Sequence, residues 1–305
     1  MKNWRLADDE EHSTKRKGEK NYMLINSVKD LELQEFTTCF NEAFSDYVIP
    51  FHVSSEYLAD KFAGAGVNYQ MSFGAFDQEK LVAFVMHGIG DRNGESTAFN
   101  TGTGVVPLYR GRRLVEQIYR HALPILKEAH IQKCLLEVIQ TNDKAIKAYT
   151  AIGFQIHREL ACFKGRIDVT LPADHRHTFI TMVRLEEFDW TSVHSYWNFE
   201  PSWEQSVQAI LRNPHLYDVV TIREENKICG YAVIKSANGA VLQFGILREK
   251  RNRGFGRSLF HWMGERHSII TVNNVDKRDT NSIRFLKSVG LDVYIEQYEM
   301  EKDLS

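Results

Sequence analysis

From Met23 onward, hydrophobic and polar positions follow a pattern that runs through twice. Ser72 to Val85 reads as strand, turn, strand: Phe73-Gly74-Ala75-Phe76, the polar Asp77-Gln78-Glu79-Lys80, then Leu81-Val82-Ala83-Phe84-Val85. Asp218 to Ile234 repeats it, with Val219-Val220-Thr221-Ile222, the polar Glu224-Glu225-Asn226-Lys227, and Ile228-Cys229-Gly230-Tyr231-Ala232-Val233. β-Branched and aromatic runs around a short polar stretch are hairpin chemistry. Each copy then continues in the same order. A strand runs into an Arg/Gly-rich turn, at Val105 to Arg113 in the first copy and at Phe244 to Gly256 in the second. An amphipathic helix follows, marked by Leu114, Ile118, Leu123 and Leu126 (with Pro124 late enough to kink it) and by Leu259, Trp262 and Met263. Short apolar strands at Cys134 to Ile139 and Ile269 to Val272 lead to a further helix, Asn142 to Ile152 or Thr280 to Val289. Each of these helices meets a glycine, Gly153 or Gly290, suited to a left-handed cap.

The copies lie about one domain length apart. They predict two tandem α/β (α+β mixed-sheet) units, each a central mixed β-sheet flanked by helices, in preference to one large sheet. The units span 23–165 and 178–305, with a linker over 166–177 where Pro172 and Asp174 break the pattern. Residues 1–22 combine an acidic run (Asp8 to Glu11) with a basic one (Lys15 to Lys17) and lack the apolar core of a secretory signal. They read as a flexible charged tail, and a start at Met23 is an alternative.

Composition narrows the classes. With 43% apolar and 26% charged residues, the 305-residue chain has the profile of a soluble globular protein. A formal net charge of −2 argues against a general nucleic-acid or anionic-membrane binder. No run approaches the roughly 18 apolar residues of a membrane span. Cys39, Cys134, Cys162 and Cys229 lie far apart without a CxxC pair, which argues against zinc or a disulfide framework and for reduced thiols in the cytoplasm. A nucleophilic cysteine stays as an alternative. His175 and His177 lack further metal ligands.

The Arg251-Asn252-Arg253-Gly254-Phe255-Gly256-Arg257 turn carries the clearest chemistry. A strand, a Gly-rich turn and a helix start converge backbone N–H groups on an anion, and the helix dipole adds to them. The glycines allow close approach, and the arginines supply charge-assisted contacts. No Gly-Lys-Ser/Thr follows, so it is not a Walker A loop, and the third glycine of a dinucleotide fingerprint is missing. A tight surface turn is the plain alternative.

The turn resembles the Arg/Gln-x-x-Gly-x-Gly/Ala pyrophosphate loop of the GNAT superfamily of N-acyltransferases, and the order of elements resembles that superfamily in both copies. The resemblance implies acetyl-CoA (CoA) as cofactor, with Phe244, Ile246, Arg251, Asn252, Arg253, Gly254, Phe255, Gly256 and Arg257 around it. In the first copy Arg110-Gly111-Arg112-Arg113-Leu114-Val115 keeps the charge but has Arg113 and Val115 where the pattern wants Gly and Gly/Ala. Val105, Val106, Arg110, Gly111, Arg112, Arg113, Leu114 and Asn142 are its cofactor-side candidates. Asn142…Ala145-x-x-x-Tyr149-x-x-x-Gly153-Phe154 resembles the superfamily segment whose tyrosine protonates the departing thiolate, or Tyr149 is a packed aromatic. Aligning Ser282-Ile283 with Ala145-Ile146 puts Leu286 in its place, and leucine donates no proton.

The resemblance implies direct attack of a primary amine, small-molecule or peptide, on the thioester, with no covalent enzyme intermediate. A backbone N–H near Val105 or Val106 would polarise the carbonyl. Glu137 is a candidate base, with Glu42 and Asp46 beside it, and a plain surface carboxylate is the other reading of each. The aromatics Trp190, Tyr196, Trp197, Phe199 and Trp203 stack on a substrate or form core. The acceptor and the oligomeric state are not legible. The alternative function is a catalytically weak or inactive CoA-binding scaffold with one or both copies degenerate.

Overall fold

A computed structural model describes residues 23–46, 52–171, 178–225 and 227–305. The first copy contains β1 (Leu24–Ser27), α1 (Leu33–Ala43), α2 (Ser55–Ala65), β2 (Phe73–Asp77), β3 (Lys80–Arg92), β4 (Glu95–Val105), α3 (Leu114–Glu128), β5 (Lys133–Ile139), α4 (Asp143–Ile152) and β6 (Gln155–Gly165). The second contains β7 (Thr178–Val183), α5 (Val207–Arg212), β8 (Asp218–Glu224), β9 (Lys227–Lys235), β10 (Ala240–Ile246), α6 (Phe255–Gly264), β11 (Ile270–Asp276), α7 (Thr280–Ser288) and β12 (Leu291–Asp303). Where the first copy has α1 and α2, the second has short 3-10 turns (Leu185–Glu187, Trp190–Tyr196, Trp203–Gln205) and the brief α5. The tail at 1–22, and His175 and His177, lie outside the described residues. Helix α3 runs on through Pro124.

The sheets are not separate. All strands form one 12-stranded sheet in the order β1-β2-β3-β4-β5-β12-β6-β11-β10-β9-β8-β7. The closing strands have changed places: β12 pairs with β5, β6 pairs with β11, and the two pair with each other. The helix caps Asn142 and Asp279 and the glycines Gly153 and Gly290 define equivalent positions. On that scale Leu160 and Gln297 are equivalent, and they face each other in the ladder, so an approximate two-fold axis passes there. The edge of β5 or β11 needs a strand to satisfy its N–H and C=O groups. A strand from either copy does so equally well, which is why local pattern could not tell one arrangement from the other.

Each copy has apolar layers on both sheet faces. In the first, α3 packs Leu114, Ile118, Tyr119 and Leu126 on one side, while Phe36, Phe40 and Phe62 from α1 and α2 meet Phe84 on the other. In the second, Leu259, Phe260 and Met263 of α6 pack beside Leu286 of α7. Burying each such side chain stabilises by about 1.5–3 kcal/mol.

One irregularity recurs and positions the site. The ladder of β3 against β4 slips at Thr101, between the pairs His87–Asn100 and Met86–Gly102. The ladder of β9 against β10 slips at the equivalent Leu242. Parallel pairing of β4 with β5 ends at Asn100, and that of β10 with β11 ends at Val241. A bulge bends its strand and raises the local twist, so each pair splays apart just beyond it.

Candidate active site

In the second copy the splay opens into a cleft of about 660 Å³. Phe244, Gly245 and Ile246 line one wall and Val272 to Val275 the other, with Trp197 and Phe199 over the opening. The start of α6 closes one end. Asn252 and Gly254 both take left-handed backbone angles there, φ 58° and 87°. No side chain caps this helix, so its first N–H groups have no intrahelical partner. Asn252, Gly254, Phe255, Gly256 and Arg257 all line this end. A Cβ at Gly256 would lie 3.0 Å from the Phe285 ring, so glycine lets α6 pack closely against α7 here. A helix start of this kind offers its free N–H groups to the cleft. Leu247 N–H donates to the Cys229 carbonyl at 2.9 Å, and strand alternation therefore turns the N–H of Ile246 the other way, toward β11.

Arg251 and Arg257 both line the cleft, and Arg251 is also a clamp: its Nε donates to the Ile246 carbonyl at 2.9 Å, and its Nη atoms donate to Asn198 Oδ1 (2.7 Å) and the Tyr196 carbonyl (2.9 Å). Arg110 does the same in the first copy, donating to the carbonyls of Val105 (3.2 Å) and Ala43 (2.8 Å). It also grips both oxygens of Asp46, at 2.6 and 2.8 Å. Both tie the loop to neighbouring backbone carbonyls. Arg253 donates to Glu224 at 3.0 Å, and Arg112 lies over the Tyr109 ring.

The first copy differs at each step. Arg113 takes the left-handed position (φ 56°) that Gly254 holds in the second. Gly111 is left-handed too, and the Leu114 side chain is buried in the core. Val106 N–H is taken by the Val82 carbonyl at 2.9 Å, so it cannot polarise a thioester; only the N–H of Val105 faces the gap. Asn142 spends its side chain capping α4 at Ala145 N–H. Tyr149 is only 8% exposed, its ring edge-on to Tyr119 and Phe154. Burial raises its phenol pKa above the ordinary tyrosine value, against the opposing pull of Thr103 and Asn100. Asn100 Nδ2 also donates to Tyr119 Oη at 2.8 Å. The structure thus places Tyr149 in a packed polar–aromatic cluster, not at the open cleft.

Two copies of one unit, each splayed at a bulge before an Arg/Gly-rich helix start, match the sequence profile of the acetyltransferase (GNAT) family over residues 25–154 and again over 181–291. The chain belongs to the GNAT acetyltransferase family. A tandem GNAT protein from the clavulanic acid biosynthesis pathway superposes with a TM-score of 0.68 at 10% identity, over 93% of this chain and 99% of that one. A GCN5-related N-acetyltransferase from Sphaerobacter thermophilus gives 0.64 at 15%, over 92% and 96%. The glucosamine N-acetyltransferase region of a fungal multi-domain β-N-acetylglucosaminidase gives 0.69 at 14%, over 92% of this chain and 38% of that one. At these identities the likeness is one of fold. No curated protein matches the sequence.

Between the two GNAT units lies a buried polar network. Asn274 of β11 donates to Glu137 Oε2 at 2.6 Å and to Ser202 Oγ at 3.0 Å. Gln297 donates to Asn274 Oδ1 at 2.7 Å. Glu137 Oε1 is buried without a partner. Burial first, then the charges of Glu204 and Glu299, push the Glu137 carboxyl up to about 7, against the opposing pull of Ser202 and Asn274. Glu204 accepts from Lys61 (2.5 Å) and Thr101 (2.6 Å); burial opposes its charge, yet the Lys61 ammonium holds it below the usual range. Ser202, Gln205, Gln243 and Asn274 line the cleft, so Glu137, held by Asn274, stands one hydrogen bond behind its wall.

The other base candidates are engaged elsewhere, Glu42 with Lys80 at 2.8 Å and Asp46 with Arg110. All four cysteines are buried, and burial pushes the thiols of Cys39 and Cys134 up to about 12, far from nucleophilic thiolates. Tyr196, Trp197 and Phe199 line the cleft, Tyr196 also packing into a core cluster with Trp190, whereas Trp203 stacks on Phe99. Among the described residues no group of three metal-ligating side chains occurs, and no helix is long and apolar enough to cross a membrane. Asn274, Ser202 and Gln205 escaped the sequence reading. Laying the repeats on each other from Asn142 and Asp279 would have paired Asn274 with Glu137.

Proposed function

We propose that the chain transfers an acetyl group from acetyl-CoA to a primary amine, small-molecule or peptide, in a ternary complex in the cytoplasm, and that the second copy is the working site. The open cleft between β10 and β11, ending at the uncapped start of α6, carries this reading. Its residues fit the cofactor: the N–H groups at Phe255 to Arg257 and the Arg257 side chain suit a pyrophosphate, and Phe244 and Ile246 an extended apolar arm.

The amine nitrogen attacks the thioester carbonyl carbon; the N–C bond forms, the C–S bond breaks, and the thiol leaves. Ile246 N–H is placed to polarise the carbonyl. The amine proton passes through Ser202 to Glu137, whose carboxyl near 7 is suited to accept it at neutral pH. With Leu286 where Tyr149 stands in the first copy, the thiolate takes its proton from water, and the proton held by Glu137 returns to the hydroxide so formed. Holding amine and thioester together supplies much of the barrier reduction, about 7–11 kcal/mol in well-oriented systems.

Leu286 is also the observation behind the second reading, a CoA-binding scaffold without turnover. Calorimetry with acetyl-CoA, run beside an assay for free thiol in the presence of amines, separates the two. Binding with amine-dependent thiol release supports the enzyme; binding without release supports the scaffold; no binding removes both.

A further inference from the structure

A second cavity, of about 390 Å³, lies beside the mouth of the acyl cleft and shares Asn198, Phe199 and Asn281 with it. One wall comes from the other copy: Arg92 and Asn93 at the turn between β3 and β4, and His157 and Arg158 of β6. Strand exchange puts β6 there, next to β11.

Most charges in this wall are matched. Arg158 donates to both oxygens of Glu299, at 2.9 and 2.8 Å, and lies 3.5 Å from Asp276. Arg278 grips Asp276 through contacts of 2.6 to 3.2 Å. Asp279 caps α7 and accepts from Asn198 at 3.0 Å. His157 meets Glu301 at 3.3 Å. Two charges are left over. The Arg92 side chain is 14% exposed, and its single ion pair is a 3.5 Å approach to Glu299 Oε2, an oxygen that Arg158 already holds. The Glu200 carboxylate has no hydrogen bond or ion pair among the described residues; only its backbone carbonyl is used, by Arg158 Nη1 at 2.7 Å.

A largely buried guanidinium with open donors is matched by a carboxylate or phosphate, and a free carboxylate by an ammonium. We propose that this pocket is the acceptor subsite and takes an amine that also carries an anion, the anion on Arg92 and the ammonium facing Glu200 on its way to the cleft. The first copy thereby sets acceptor choice for chemistry done in the second. The proposal rests on the acyl-transfer reading above.

Matched pairs test it on the full chain without acetyl-CoA: lysine against cadaverine, and phosphoethanolamine against ethanolamine, by calorimetry or ligand-observed NMR. The anion-bearing member of at least one pair binds tenfold or more tighter than its neutral-tailed partner, the lysine pair reporting carboxylate and the phosphoethanolamine pair phosphate. Arg92→Gln abolishes that preference, Arg92→Lys restores part of it, and acetyl-CoA affinity is unchanged in both. Equal binding within both pairs, or a preference that survives Arg92→Gln, overturns the subsite. If an Arg92-dependent preference is found while acetyl-CoA fails to bind, the acyl-transfer reading falls, and with it the acceptor role, leaving a binding site for amines that carry an anion.

Discussion

Asn274 donates a hydrogen bond to Glu137 across 2.6 Å, and the two residues hold the same place in the two repeats. The strand exchange brings them face to face beside the two-fold, where divergence has left a carboxylate on one side and an amide on the other. A pair of identical carboxylates would repel here; the amide lets one carboxylate stay buried.

Glu137→Gln keeps the acceptor oxygen for Asn274 and removes the base. Turnover falls by about 10²–10⁴-fold while acetyl-CoA affinity holds. Wild-type kcat/KM rises with pH through about 7 and levels off, and the variant loses that step. A flat wild-type profile from pH 6 to 8 would remove the assignment. The fold raises this carboxyl, so its favourable contribution is full below the unfolded carboxyl value and is lost as pH climbs through about 7. The variant therefore gains stability over wild type above pH 7, on the order of 1–3 kcal/mol, measurable by denaturant melts at pH 5 and pH 8.

Gly254→Glu puts a Cβ on a residue at φ 87° and a negative charge where an anion is expected. Calorimetric binding of acetyl-CoA to the second cleft is lost. In the first copy the mirror change, Arg113→Gly, relieves the same backbone conformation, and the melting free energy rises by about 1 kcal/mol. A variant of Gly254 that binds as well as wild type places the cofactor elsewhere.

Tyr149→Phe leaves turnover and acetyl-CoA affinity at wild-type levels, because the phenol sits inside the first copy. It costs about 1 kcal/mol of stability through the lost hydroxyl contacts. A rate loss of tenfold or more with normal stability would move the working site to the first copy.

A chain ending at Gly165 lacks β11 and β12, leaving one edge of β5 open and β6 with neither of its neighbours. It self-associates or aggregates in sedimentation experiments, since open strand edges seek partners. A monomer that unfolds cooperatively would show that the exchange is dispensable.

Hairpins, helices and closing glycines were legible because each is written in a few adjacent residues: Gly153 and Gly290 do sit at positive φ, and Thr280 does start a helix, capped by Asp279. What failed to show was everything decided at long range. The pairing of Gln297 with Leu160 joins segments from different copies, and no local periodicity encodes which partner wins. Arg110 and Arg251 carry the charge of a phosphate loop, yet their geometry turns that charge onto backbone carbonyls. The bulge at Leu242, beside the second-copy cleft, has no glycine next to it, and Gly102 beside the Thr101 bulge reads as an ordinary strand glycine.

The exchanged strands also bear on how such a chain changes over generations. Once each copy closes the other's sheet, deleting either gene half destroys both, whatever chemistry that half has given up. A copy held in this way keeps its place as framework whatever its own loop does, and Arg113 at the left-handed position and the edge-on rings of Tyr119 and Tyr149 are tolerated there on those terms.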